Sequence, residues 1–317
     1  MRTRSPAPRS FLVIGWMIVS LGLSSCMGSA SAHPSLGAHA YGCPLFPANN
    51  PLNQEIAHAP VDPRSAAYIA SIGLSAHLHP DFGTDPSYGI PYTVVGPRQP
   101  KVPITFDEYG EESNPGPYPI PAGAPVEGAG EAGDRHVLVL QSGTCRLYEL
   151  YGAQRSGLGW RAGSGAVFDL RSNALRPEGW TSADAAGLPI FPLLARYPEV
   201  RAGQIDHALR VTVPLTQRGY IHPATHFASD SSNPDLPPMG LRLRLKASYS
   251  LAGFHGESLV ILRALERYGL IVADNGSPWY ITGAPDPHWN DADLEQLKRV
   301  PGSAFEAVDT GSIRHRG

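Results

Sequence analysis

Acidic residues at the edges of apolar runs are the first sign of chemistry in this chain: Glu149, Asp169, Glu178, Asp184, Asp206 and Asp274 all fall near strand-like segments. Glycoside hydrolysis needs carboxyl groups in pairs, one protonating the leaving oxygen and one acting as base or nucleophile, roughly 5 to 9 Å apart. Glu149 alternates with Cys145 and Leu147 on one strand face, where a charge is costly unless the face lines a cleft. If Arg146, Tyr148 and Leu150 form the core side instead, Glu149 is ordinary surface. Glu178 and Asp184 lie in the stretch RSNALRPEGWTSAD (171–184), which also carries Arg176, Trp180, Thr181 and Ser182. A Trp beside carboxylates offers a sugar ring a stacking face and hydrogen-bond acceptors, although the same Trp could plug a core beneath a crossover loop. On this reading Glu149 or Glu178 is the acid and Asp184 or Asp206 the base or nucleophile. Trp180, Trp279, Tyr148, Arg176, Asp274 and Asn275 are then the substrate contacts.

Histidines add a second set. His207 follows Asp206, while His222 and His226 flank Pro223 and precede Asp230 and Asp235. His207 or His226 can serve as a general base. With Tyr148 or Tyr220, and an arginine such as Arg176, Arg210 or Arg242 to neutralise a uronate, they would make a polysaccharide lyase. An imidazole pair with three residues between its members converges on a metal reliably only on a helix, and Pro223 disfavours that, so neither metal nor other cofactor is expected. The chain has no GxGxxG before a helix and no GxxxxGK[ST], HExxH, GxSxG or CxxC. Those absences remove nucleotide binding, zincin chemistry and the serine-hydrolase elbow from the front rank.

The elements that must position these groups read as mainly β. The runs 135–141 and 145–151 around Ser142-Gly143 predict a hairpin, and 166–170, 205–213 and 241–247 predict further strands. Segment 241–247 alternates so cleanly that Arg242, Arg244 and Lys246 are expected to form a wet basic face. Segments 270–273 and 279–282 bracket Asp274-Asn275-Gly276-Ser277 and suggest a second hairpin. Helices are expected over 257–268, stopped by Gly269, and after Asn290 as cap. The sum is an antiparallel, jelly-roll-like β-sandwich with two short C-terminal helices over 134–317. Residues 33–133 are interrupted too often by proline for a long helix, with 63–72 the one short exception. Their apolar anchors predict an extended strap packed on that core.

Three arginines and an apolar run, Phe11 to Leu23, give residues 1–32 the form of an export leader, ending in Ser25-Cys26 or in Ala30-Ser31-Ala32. Lipidation at Cys26 would tether the protein to an outer or periplasmic surface; cleavage after Ala32 would release it. The full chain carries net charge −3 and the leader contributes +3, which leaves −6 without it. An acidic chain with no basic stripe is a poor partner for nucleic acid. In an oxidising compartment Cys43 and Cys145 can form one disulfide.

The strings GDRHVLVLQSGTCRLYELYGA (133–153), GSGAVFDLRSNALRPEGWTSADAAGLPI (163–190), IDHALRVTV (205–213) and ILRALERYGLIVADNGSPWYITGAPDP (261–287) are long and distinctive. With HFASDSSNPDLPPMGLRLRLKASY (226–249) and LKRVPGSAFEAVDT (297–310), they resemble a family of secreted bacterial proteins without an assigned activity, over about residues 118–310. The resemblance implies a secreted module and no residue roles. Taken together, these features predict an extracellular carbohydrate-active enzyme, a glycoside hydrolase acting on a polysaccharide. A polysaccharide lyase is the variant, and a non-catalytic glycan-binding or surface module is the alternative.

Overall fold

The computed structural model describes residues 37–130 and 133–315; the leader, Cys26 and both cleavage alternatives lie outside the described residues. The run 137–140 is apolar throughout, and with Gln141 it forms a strand buried at every position because both of its faces are covered. It is the centre of a four-stranded sheet, with β4 (Tyr92–Val95), β6 (Val137–Gln141), β7 (Arg146–Tyr151) and β10 (Ser164–Asp169) in the order β10-β7-β6-β4. Strands β6 and β7 form the expected hairpin, with Gln141 opposite Arg146. Leu138, Leu140, Leu147 and Phe168 enter the main core, and Val137, Val139, Tyr148 and Leu150 enter a smaller one with Tyr118 and Trp160.

That main core is shared with a six-stranded sheet of order β15-β12-β13-β11-β14-β3. Its members are β3 (His79–Asp81), β11 (Leu209–Val213), β12 (Arg242–Leu245), β13 (Leu270–Asn275), β14 (Tyr280–Thr282) and β15 (Phe305–Val308). A three-stranded sheet pairs β5 (Ile104–Phe106), β9 (Gly159–Ala162) and β8 (Gln154–Ser156), and β1 (His39–Ala40) pairs with β2 (Cys43–Pro44). Among the described residues four α-helices accompany them: α1 (Ser65–Ile72), α2 (Tyr197–Ala202), α3 (Gly256–Arg267) and α4 (Asp291–Leu294). Asn290 caps α4 through its side chain, and Gly269, at φ +70°, ends the run after α3. Among the described residues no helix is long and apolar enough to cross a membrane.

The chain is thus mostly β, but a purely antiparallel arrangement does not describe it. Strands β4 and β6, β5 and β9, β11 and β13, and β3 and β14 all pair in parallel. Parallel neighbours need long connections. Three of these pairs are made by strands of the N-terminal segment, which reaches its partners from a distance in sequence. The expected second hairpin also resolves differently, because β11 lies between β13 and β14 and pairs with both. Helices α1 and α2 stand in addition to the two expected near the C-terminus, α1 within the 63–72 segment singled out for it.

The N-terminal segment is built into the sheets and bonded to them. Cys43 and Cys145 form a disulfide with Sγ atoms 2.04 Å and Cα atoms 5.4 Å apart. The expected wet face of β12 is dry, with Arg242 2% and Arg244 9% exposed. Arg242 donates to the carbonyls of Pro51 (2.5 Å) and Tyr268. Arg244 donates to those of Ile56, Ala57 and Ala59 at 2.6, 3.0 and 2.8 Å and to the Glu306 carboxylate at 2.8 Å. The guanidinium forks satisfy a stretch of chain that has no strand partner there.

Candidate functional site

A cavity of about 330 Å³ opens where the ends of β7 and β13 meet the start of β10. Its wall includes Tyr109, Asp134, His136, Tyr151, Ser164, the run Thr181–Ala185, His226, Asp274 and Asn275. The run 181–185 is held from several directions. Arg176 donates to the Thr181 carbonyl (2.7 Å), to Asn114 Oδ1 (2.7 Å) and to the Glu112 carbonyl (2.5 Å), while the Glu112 carboxylate accepts from Thr181 N–H at 2.8 Å. Ser164 Oγ donates to Ser182 O, and Ser182 Oγ to Leu188 O, both at 2.6 Å. Gly187, at φ +74°, closes the turn: a Cβ there would lie 2.2 Å from Thr225 Oγ1, so no other residue fits.

The charges in this wall are specific. His136 meets acceptors at both ring nitrogens, the Glu127 carboxylate at Nδ1 (2.5 Å) and the Ala183 carbonyl at Nε2 (2.9 Å). Both ring nitrogens must donate, so the ring is an imidazolium. Burial works against that charge, but the hydrogen bond and the field of Glu127 outweigh it and raise the pKa, while Glu127 is held below its ordinary value against its own burial. His226 differs: Nδ1–H donates to the Ala185 carbonyl at 2.8 Å, and its Nε2 makes no hydrogen bond among the described residues. That nitrogen is available as an acceptor in the neutral ring.

Two aspartates complete the wall. Asp184 is 2% exposed; its Oδ1 accepts from Arg210 Nη2 at 2.5 Å, and its Oδ2 is buried without a partner. Burial pushes its carboxyl up against the pull of Arg210, which also donates to Thr282 Oγ1 at 2.8 Å. Asp274 is pushed up to about 6, first by burial and then by the nearby charge of Asp184. Its neighbour Asn275 has an unpartnered Oδ1.

Asp184, Asp274, Asn275 and His226, read separately in the sequence, therefore meet in one pocket. The other singled-out residues do not line it. Glu149 is fully buried in the main core, where its carboxylate accepts from Ile190 N–H at 3.0 Å and Phe191 N–H at 2.8 Å; burial, opposed by those bonds, moves its pKa up to about 7. No substrate can reach it, so a role as direct proton donor does not suit its position. Glu178 is on the surface, accepting from the Tyr220 hydroxyl and from His222 Nε2 at 2.8 Å. Asp206 accepts from Gln204 (2.8 Å) and lies beside Tyr268. His207 is buried, donating from Nδ1 to the Ala208 carbonyl (2.8 Å), with Arg196 and Glu199 at its other nitrogen.

The aromatic expectations move in the same way. Trp279 is fully buried against Phe305, ring centres 4.9 Å apart, and donates to the Gly73 carbonyl at 2.8 Å, so it cannot stack on a sugar. Tyr148 packs on Tyr118 in the smaller core. Trp180 is half-buried with the Arg176 guanidinium 5.6 Å from its ring, and both serve the loop. Asp134, His136, Glu127, Tyr109 and Tyr151 escaped sequence reasoning. The one signal was polar Asp134 and His136 at the entrance of the apolar β6 run, which periodicity alone assigns to a strand end.

No protein-family model, no curated protein and no solved structure matches this chain, so its reading rests on the geometry of this pocket.

Proposed function

We propose that the pocket is the active site of an exported glycoside hydrolase. The observation that carries this reading is the placing of Asp184 and Asp274 in one small cavity, where burial displaces both carboxyl pKa values upward, Arg210 opposing the shift at Asp184 and the charge of Asp184 adding to it at Asp274. Asp274, with a pKa of about 6, can hold a proton in mildly acidic solution and deliver it to a leaving oxygen. Asp184 is ion-paired with Arg210, and its partnerless Oδ2 serves as base or nucleophile. Tyr109 and Tyr151 give the rim aromatic surface for a sugar ring, and His226 Nε2 adds an acceptor. Export would follow from the leader, and the Cys43–Cys145 disulfide is compatible with it. The shared core between the four- and six-stranded sheets supports a sandwich-like architecture.

The lyase variant loses its main support, since Arg242 and Arg244 bind the chain's own carbonyls and leave no basic face for a uronate. The test is digestion of a panel of plant, fungal and bacterial polysaccharides by the purified protein. New reducing ends are expected from at least one, with turnover falling about 100-fold or more in Asp184→Asn and in Asp274→Asn. An inactive protein across the panel, or variants as active as the parent, would overturn the reading. Conjugated unsaturated products in place of reducing ends would return the lyase.

A further inference from the structure

The hydrogen-bonding inventory of the pocket is one-sided. Asp184 Oδ2 and Asn275 Oδ1 are acceptors without partners, and Asp134 and Asp274 add further carboxylate oxygens to the same wall. The cations nearby are already engaged. His136 has both N–H groups committed to Glu127 and Ala183, and Arg210, which is not part of the wall, has one Nη committed to Asp184 and the other to Thr282; its Nε is buried and unpartnered. An acidic cluster alone would say little, but Asp184, 98% buried, lines the cavity and carries an unpartnered oxygen. A buried acceptor left without a donor is destabilising, and a ligand donor offsets that cost.

The missing complement is a cationic group rich in donors. An ammonium carries one positive charge, three N–H donors and no acceptor. A metal ion fits less well, because among the described residues no three His, Cys, Asp or Glu side chains are placed to hold one. Uronates and sulfated sugars would add negative charge to a wall that, among the described residues, holds three aspartates and no free cation. The tyrosines at the rim and a volume near the lower end of ligand-binding cavities suit a single sugar unit entering the pocket.

We infer that the pocket recognises an amino sugar through its unsubstituted ammonium, seated among Asp184, Asp274, Asn275 and Asp134. The substrate class is then a glycan bearing free amino groups; cleavage rests on the hydrolase reading above, whereas binding does not. The experiment is calorimetric titration of the mature protein with glucosamine oligosaccharides, their N-acetylated forms and glucose oligosaccharides of equal length, at pH 6.5. The amino form is expected to bind at least tenfold more tightly than either neutral form. Asp274→Asn should remove most of that preference, and Asp134→Asn, at an exposed position, should reduce it severalfold.

Equal or tighter binding of the acetylated or glucose oligomers would overturn the inference, as would calcium or magnesium displacing the amino sugar at submillimolar concentration. The two readings fail separately. Cleavage of a neutral glycan without preference for amines would leave the hydrolase standing and remove the ammonium site, and tight amine binding without any new reducing ends would do the opposite.

Discussion

Glu149 shows how one buried side chain can tie pocket geometry to pH. It closes no contact with the cavity, yet its carboxylate anchors the N–H groups of Ile190 and Phe191, just beyond the 181–187 run that carries Asp184. Asp184 and His136 are the charged groups whose fields reach it, the first raising and the second lowering its pKa, with burial dominant. Its pKa rises from 4.5 to about 7 on folding, so the folded state holds the proton more tightly than the unfolded state. Stability from this group is present below pH 4.5 and is lost as pH climbs to 7. Melting temperatures of Glu149→Gln and of the parent should therefore diverge over that window, the variant losing less as pH rises. Parallel curves would show that the carboxyl does not titrate there. His136 acts in the same direction at higher pH, since its raised pKa makes its contribution one that disappears as pH passes upward through it.

At the scale of elements, β12 and the hairpin β6–β7 are where the N-terminal segment is fastened. Arg244 spans residues 56–59 and Glu306 at once. Replacing it with Met keeps the apolar stem and strands those carbonyls. Arg244→Met is expected to lower stability by about 2 to 3 kcal/mol, the usual cost of leaving buried acceptors unpaired. Limited proteolysis should find earlier cleavage between residues 48 and 60; an unchanged digestion pattern would mean that neighbouring contacts hold the segment unaided. The disulfide fastens the same segment to the start of β7 across a sequence separation of 102. Closing a loop of that size is worth up to about 4.7 kcal/mol in the chain-entropy account. Cys43→Ser should accordingly lower the melting temperature, and two reactive thiols in the unfolded, unreduced protein lacking residues 1–32 would rule the bridge out.

For the whole molecule the question is whether residues before 118 are dispensable. They supply β3 and β4 as edge strands of the two larger sheets and β5 to the three-stranded one. They also place Leu45, Leu52, Tyr68, Ile69, Ile72, Leu78, Phe82 and Ile90 in the main core. A chain starting at Tyr118 would expose the opposing faces of the core and leave β6 and β14 unpaired along one edge. It is expected to show no cooperative thermal transition by circular dichroism, whereas a truncated chain melting like the full protein would make the segment a passenger.

What the sequence determined by itself is what depends on neighbours along the chain. Alternation and turn residues were enough for the β6–β7 hairpin, for strands near 166–170, 209–213 and 242–245, for the α3 stop at Gly269 and for the Asn290 cap. Local pattern also showed that 171–184 is an irregular, polar stretch. Only the tertiary structure decided which faces are dry. The Arg242 and Arg244 face reads as solvent-facing by alternation, yet it is covered by chain arriving from far away in sequence. The same long-range packing made Trp279 a core residue and Glu149 a buried anchor, and it gathered Asp134 and His136, Asp184, His226 and Asp274 from four separate segments. Periodicity reports that one side of a strand is apolar; what covers the other side is set by connections that no local spacing encodes.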